Sequence, residues 1–341
     1  MKKAVLMINI GSPNSLDLKD VKDYLEQFLM DPRVINYPYW LRYLLFKKVI
    51  IPKRTPNSAE AYEQIWQKEG SPLLIYTQEL VDKMNEKDKE YDWFWAMRYS
   101  KPTVASRLQE IINRGYEEIV IFPAYPQFAD SSTTSSLDVV QDFFKEPQMC
   151  KLWQGRVKYV EDFYKNKDFI SNIVDQCQNQ TKKFTSADHV LFSFHGLPES
   201  HLRLIHKSCK SAQCETQISS ENQKCYKAQC YQTAKAVAEG LGIQDKYSVS
   251  FQSRLGPSKW IEPYTDVVVE DLARKGTKSL VVFSLAFVTD CLETLEELDI
   301  RLKDSFLSSG GTDFYRVPCL NQNFDSAFDI IRTEELKILN L

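Results

Sequence analysis

The sequence predicts an α/β protein made of two similar doubly wound halves, each a parallel sheet with helices on both faces. Three observations lead there. Strand-like runs that are apolar throughout recur at wide spacing, as expected of strands buried on both faces. Stretches with helical spacing lie between most of them. Eight such runs over 341 residues suit two sheets of about four strands better than one sheet.

The runs are Ala4–Ile10, Trp93–Arg98, Ile119–Tyr125, Val157–Val160, Val190–Phe194, Tyr247–Phe251, Leu280–Phe287 and Phe314–Val317. Thr103–Asn113 places Val104, Leu108, Ile111 and Ile112 on one helical face. Gln229–Gly240 is a second helix, with Gly240 as its expected cap. Tyr164–Ser186 is polar and helical in character, and a second series of strands opens at Val190. The expected division is therefore 1–165 for the first half, 166–320 for the second, and 321–341 for a closing segment. In that segment Ser326–Leu339 reads as a helix packing back on the first half.

Composition bounds the function. Lys and Arg total 43 against 46 Asp and Glu, a net charge of -3, which argues against general nucleic-acid binding. No run reaches the ~20 apolar residues of a spanning helix, and Met1–Ile10 lacks the features of a signal peptide. A cytoplasmic protein is expected. Its 8 cysteines are too few for a disulfide scaffold, so thiols or metal ligands are the expected state. Four of them, Cys209, Cys214, Cys225 and Cys230, space as C-x4-C-x10-C-x4-C within a polar segment, 208–230. Four thiolates in one loop suit Zn2+ or a [2Fe–2S] cluster, with His206 as a weaker extra ligand.

Open parallel sheets bind ligands at the carboxyl ends of their strands. One apolar strand ends in His195, followed by Gly196 and Pro198. Imidazole suits proton transfer or metal ligation near neutrality. A second strand ends before Asp290, Glu293 and Glu297, which at i, i+3 and i+7 share one helical face. That acidic stripe has two readings: first-turn carboxylates favoured by the helix dipole, or a path of oxygen ligands for a divalent cation. Gln127–Leu137 is a hydroxyl-rich loop suited to capping the next helix or holding an anion. Tyr37–Pro56, aromatic and aliphatic with Lys47, Lys48, Lys53 and Arg54, reads either as a buried helix pair or as a hydrophobic lip for a flat ligand or a membrane surface.

Several motifs in order along nearly the whole chain resemble those of the ferrochelatase family. They include Ile8-Asn-Ile-Gly-Ser-Pro13, Met97-Arg98-Tyr99 and Tyr125-Pro-Gln127. The second half adds Ser193-Phe-His195-Gly-Leu-Pro198, the stretch Phe251–Trp260, and Thr289-Asp290-Cys291-Leu-Glu293-Thr-Leu-Glu296-Glu297. The resemblance implies two chelatase-like halves with a cleft between them, and insertion of Fe2+ into protoporphyrin IX to form haem. It implies catalytic roles for His195 and Glu293, and Fe2+ handled as substrate by His195, Glu293, Glu297 and Asp290. Ile10, Arg54, Tyr62, Ser71 and Arg98 match porphyrin-binding positions, with two extra residues between Tyr62 and Ser71.

Cys291 stands where many members carry a histidine, and it is left out of the catalytic set. Asp130 and a lone Cys319 argue against the cluster of the animal-type enzymes. The internal loop resembles instead the four-cysteine insertion of some bacterial members, which hold a [2Fe–2S] cluster; zinc is the alternative. The implied partners are protoporphyrin IX and Fe2+, with peripheral membrane contact through 37–56 and a monomer or homodimer as the assembly. Coproporphyrin ferrochelatase, a cobalt chelatase of corrinoid synthesis and a haem-binding carrier are the competing functions.

Overall fold

A run that is apolar on both faces finds cover only inside a helix-clad sheet, and Ala4 to Ile8 are each fully buried. The computed structural model describes residues 2–178, 184, 186–205, 218–256 and 258–339, the side chains of 150, 151 and 178 aside. Its strands are β1 (Lys3–Asn9), β2 (Asp92–Met97), β3 (Glu118–Pro123), β4 (Arg156–Tyr159), β5 (His189–His195), β6 (Tyr247–Gln252), β7 (Ser279–Phe283), β8 (Asp313–Arg316) and β9 (Lys337–Ile338). They form two sheets, ordered β2-β1-β3-β4-β9 and β6-β5-β7-β8. Every pairing is parallel except that of β9 with β4. The eight predicted runs are the eight parallel strands.

The chain divides into two units. The first comprises Met1–Tyr125, Ala129–Asp162 and Ala327–Leu341, and the second Pro126–Phe128 and Phe163–Ser326. In the first unit the helices Val104–Asn113 and Ser135–Lys145 cover one face of the sheet, burying Val104, Leu108, Ile111, Val140 and Phe144 against Leu6, Ile8 and Ile121. Thr103 caps the former helix by accepting from the Ser106 amide at 3.2 Å. The closing segment is not one helix over 326–339. The helix is Ala327–Thr333, and the chain then pairs with β4, where the Leu339 amide donates to the Val157 carbonyl at 3.0 Å. That strand covers the sheet edge, which would otherwise present unpaired backbone groups.

In the second unit the helix Tyr226–Leu241 lies against the helix Lys167–Gln178. Its cap is Gly242, in the left-handed region at φ 69°, and not the expected Gly240. Gly240 serves close approach instead: a Cβ there would fall 2.6 Å from a Val174 methyl.

The buried-pair reading of Tyr37–Pro56 is overturned. A short helix Tyr39–Arg42 runs through wide i→i+5 turns at Tyr43–Ile50 into the helix Ile51–Glu63. Phe46, Ile51 and Thr55 face inward, whereas Tyr39 and Trp40 are 66% and 63% exposed, with Leu44, Leu45 and Val49 also outward. The segment holds more apolar residues than one inward stripe can take. Among the described residues no helix is long and apolar enough to cross a membrane.

His189, at the start of β5, lies 2.8 Å from the Ser248 hydroxyl of β6, and burial pushes its imidazole pKa down. In the unfolded chain the ring titrates near ~6.5. As pH falls below that value the unfolded state takes up a proton that the folded state resists, so stability drops. His189→Gln keeps a hydrogen-bonding group toward Ser248 and removes the proton. Urea denaturation should show the variant gaining stability relative to wild type between pH 7.5 and pH 5. Parallel stability curves for the two proteins would refute this.

Candidate active site

In the second unit β5 and β6 end side by side, with His195 opposite Gln252 in register. The His195 Nδ1 lies 2.6 Å from the Gly196 carbonyl. A carbonyl accepts and does not donate, so the neutral ring carries its proton on Nδ1 and leaves the Nε2 lone pair available. The Gly196 amide in turn donates to the Gln252 carbonyl at 2.8 Å. A Cβ on Gly196 would sit 2.7 Å from that same oxygen, which is why the strand end needs glycine. Phe287 and Trp260 flank the imidazole, with ring centroids 6.3 and 6.5 Å away.

The Gln252 side chain gathers the acidic segment. Its Nε2 donates to the Glu293 carbonyl at 2.8 Å and to the Glu297 carboxylate at 3.0 Å. Its Oε1 accepts from the Ser193 hydroxyl at 2.8 Å, two residues before His195. Ser253, held at φ 67°, donates its hydroxyl to Glu297 as well. The other Glu297 oxygen meets Arg301 at 3.2 Å. The Glu293 side chain is hydrogen-bonded with Cys291. Burial first, and then the adjacent Glu293, push that thiol well above its ordinary range, so it stays protonated and donates to the carboxylate.

Asp290, expected among the cation's ligands, lies outside the helix that carries Glu293. The helix begins at Leu292, not at Asp290. One Asp290 oxygen accepts from Arg316 at 2.8 Å and from Thr294 at 2.9 Å, and the other accepts from Asn321 at 2.8 Å. Both Asp290 and Arg316 are buried, so the carboxylate is spent on neutralising a guanidinium. Arg316 also binds Asp299 at 2.7 Å, yet burial still raises the Asp299 pKa. Among the described residues no three His, Cys, Asp or Glu side chains gather as a metal-holding group. The four-residue Fe2+ set is therefore not assembled as one cluster.

The expected porphyrin positions all lie in the first unit. Ile10 and Arg98 come together at the ends of β1 and β2: the Arg98 amide donates to the Asn9 carbonyl at 2.8 Å, and that of Tyr99 to Ile10 at 3.1 Å. The Arg98 guanidinium binds the buried Asp31 at 2.6 Å and the Ser135 hydroxyl at 2.8 Å. Tyr99 and Ser135 both donate to Asp31, at 2.8 and 2.6 Å. The hydroxyl-rich loop thus serves a carboxylate network through Ser135, and no side-chain cap bond opens the helix Ser135–Lys145. Gln127 belongs to the second unit, donating to Thr233 at 3.0 Å and to the Leu285 carbonyl at 3.2 Å. Tyr62 is buried, edge-on to Tyr24 and Trp66 at 6.3 Å each; Arg54 lies two turns earlier on the same helix. Ser71 is buried at the start of the helix Pro72–Lys87.

Cys225 immediately precedes the helix Tyr226–Leu241 and Cys230 lies in its second turn; both are buried and outside disulfides. Cys209, Cys214 and His206 lie outside the described residues. Sequence reasoning assigned no role to Gln252, Asp31 or Arg316. For Arg316 a signal existed, since it is the cation within an otherwise apolar strand run.

A family model described as Ferrochelatase matches residues 2–330. A ferrochelatase of Bdellovibrio bacteriovorus is 40% identical over 324 residues, covering 94% of this chain and 95% of the relative. One of Pseudomonas putida is 41% identical over 327 residues, with the same coverage. Among solved structures, SirB from Bacillus subtilis with Fe3+ aligns at TM-score 0.54 and 10% identity, over 97% of this chain and 95% of that one. The sirohydrochlorin chelatase SirB from Bacillus subtilis subspecies spizizenii, in complex with cobalt, aligns at TM-score 0.51 and 9% identity, over 97% and 94%. At such identities these two likenesses show the fold, two parallel sheets with helical cover.

Removing the guanidinium should leave Asp290 charged and buried without its partner. Arg316→Met is expected to cost about 3–5 kcal/mol in urea denaturation at neutral pH. A loss below about 1 kcal/mol would show that the pair does not hold this corner of the second unit.

Proposed function

We propose that this chain, which belongs to the ferrochelatase family, inserts Fe2+ into protoporphyrin IX with release of two protons, forming haem. The observation that carries the mechanism is the tautomer of His195 at the end of β5. With Nδ1–H held by Gly196, the Nε2 lone pair is left free to take a pyrrole proton. Glu293, held by its backbone through Gln252 and by its carboxylate through Cys291, is the second proposed catalytic group, receiving protons or passing the metal. Carboxylate and imidazole donors hold Fe2+ weakly enough for four pyrrole nitrogens to win it. Glu297, held by Gln252, Ser253 and Arg301, stands behind them in the proposed path.

The first unit is proposed to hold the porphyrin. Ile10 and Tyr62 supply apolar surface, Ser71 a hydroxyl, and Arg54 and Arg98 cations for the propionates. The Asp31 pair holds the Arg98 guanidinium in one orientation. The exposed Tyr37, Tyr39, Trp40, Leu44, Leu45 and Val49, with Lys47, Lys48 and Lys53 nearby, support a peripheral membrane contact, in the cytoplasm, for a porphyrin that is itself poorly soluble.

The internal four-cysteine segment is proposed to hold a [2Fe–2S] cluster through Cys209, Cys214, Cys225 and Cys230. The two described members support this reading as buried thiols outside disulfides. When bound, the cluster would supply a covalent cross-link that orders the segment. Zinc, tetrahedral on the same thiolates, is the second candidate.

Two experiments test these proposals. Anaerobic mixing of the protein with Fe2+ and protoporphyrin IX should replace porphyrin bands by haem bands at a catalytic rate. His195→Ala should abolish that conversion in a protein that still folds, whereas near-normal turnover would remove His195 from the mechanism. Separately, Cys225→Ser should lose the cluster's visible absorption. Iron and sulfide retained at full occupancy in that variant would refute the cluster.

A further inference from the structure

The far end of the cysteine-rich segment is built into the strand that carries His195. Cys225, Tyr226, Lys227, Gln229 and Cys230 are all buried where the helix Tyr226–Leu241 begins. The Tyr226 hydroxyl donates to the backbone carbonyl of His195 at 2.8 Å. The same hydroxyl lies against the Cys230 sulfur one turn along the helix. Gln229 fixes the approach to this helix, donating to the Gln223 carbonyl at 2.8 Å and accepting from the Phe128 amide at 2.6 Å.

The carbonyl of His195 needs such a partner. Alternate residues of β5 bond to β6, as the amides of Val190 and Gly196 do, so His195 faces the β7 side. There the ladder has already ended at Phe192 opposite Phe283. A part-buried backbone carbonyl past the end of a ladder lacks its strand partner unless a side chain reaches it, and Tyr226 does. Fixing this carbonyl fixes the peptide plane that leads into Gly196, whose own oxygen holds the imidazole Nδ1.

We infer that Tyr226 is a positioning residue for His195, and that it transmits the placement of the thiols at Cys225 and Cys230 to the orientation of the imidazole. The inference rests on the proposed role of His195 as base. It gives the cysteine-rich segment a function beyond its own stability. Whatever orders those thiols sets the start of the helix, and one phenol carries that setting to the base.

Tyr226→Phe in the full-length protein removes the hydroxyl and keeps the ring. The kcat for Fe2+ insertion should fall about five- to tenfold, with KM for both substrates within about twofold, because orientation and not binding is lost. The Cε1–Hε1 NMR cross-peak of the His195 imidazole, identified by its absence in His195→Ala, should move. Cys230→Ala should move the same peak. The double variant should move it no further than Tyr226→Phe does, because both act through one hydroxyl.

An unmoved peak in Tyr226→Phe, or shifts that simply add in the double variant, would overturn the inference. Cys230→Ala keeps the phenol. Should the phenylalanine variant unfold, an unmoved peak in Cys230→Ala overturns it instead. Full activity in His195→Ala would be a different result: it defeats the role of the base and leaves the peak displacements standing.

Discussion

The side-chain amide of Gln252 is the contact through which the second unit becomes a site. It sits at the end of β6, opposite His195, and spends its three hydrogen bonds on three different elements. Ser193 ties it to β5, the Glu293 carbonyl to the start of the acidic helix, and the Glu297 carboxylate to the wide turns that follow. An amide both donates and accepts, so it can join a hydroxyl donor to a carbonyl and a carboxylate; a carboxylate or an ammonium at this position could not. Ser253, in the left-handed region, adds a hydroxyl to the same carboxylate. The imidazole and the two glutamates are thereby referenced to one rigid strand end.

Charge in each unit is handled by burial and pairing. In the second unit, Asp290 with Arg316 forms a buried corner that also receives Thr294, Asn321 and Asp299. In the first, Asp31 accepts from Arg98, Tyr99 and Ser135. Burial and the neighbouring Asp31 push the Tyr99 phenol far above its ordinary range, so it remains a donor at every accessible pH. Buried ion pairs contribute little net stability compared with apolar packing, but they fix geometry strongly. That suits residues next to a site, where orientation matters more than cohesion. Arg98 therefore presents to any ligand a guanidinium that is already partly satisfied and held in place.

The parallel strands were legible because an apolar run with no alternation admits few other environments, and all eight were located. Strand ends were less legible. The run Leu280–Phe287 looks uniform, yet β7 stops at Phe283, because Ser284 and the residues after it turn away toward the acidic helix. The closing strand β9 is two residues long and carries no period for a pattern to reveal. Gly240 and Gly242 are two residues apart; Gly242 takes the left-handed cap, while Gly240 makes room for Val174 of a neighbouring helix, which local pattern does not contain. The aromatic segment after Tyr37 misleads for a related reason: composition counts apolar residues but does not say how many of them a single inward face can hold.

The amino-acid sequence by itself determined the fold class, the family and the two chemical groups at strand ends, His195 and the acidic helix. Those depend on residue type and short-range order, which a linear reading retains. Only the tertiary structure decided which carboxylate was spent. Asp290, Glu293 and Glu297 look equivalent on a helical wheel, but Arg316 reaches Asp290 from a strand 26 residues away, and Gln252 reaches Glu297 from 45 residues away. It likewise decided that Tyr226, set among the clustered cysteines, bonds to a histidine 31 residues earlier. Partners so distant in the chain are chosen by how sheets and helices pack, and no local pattern records that choice.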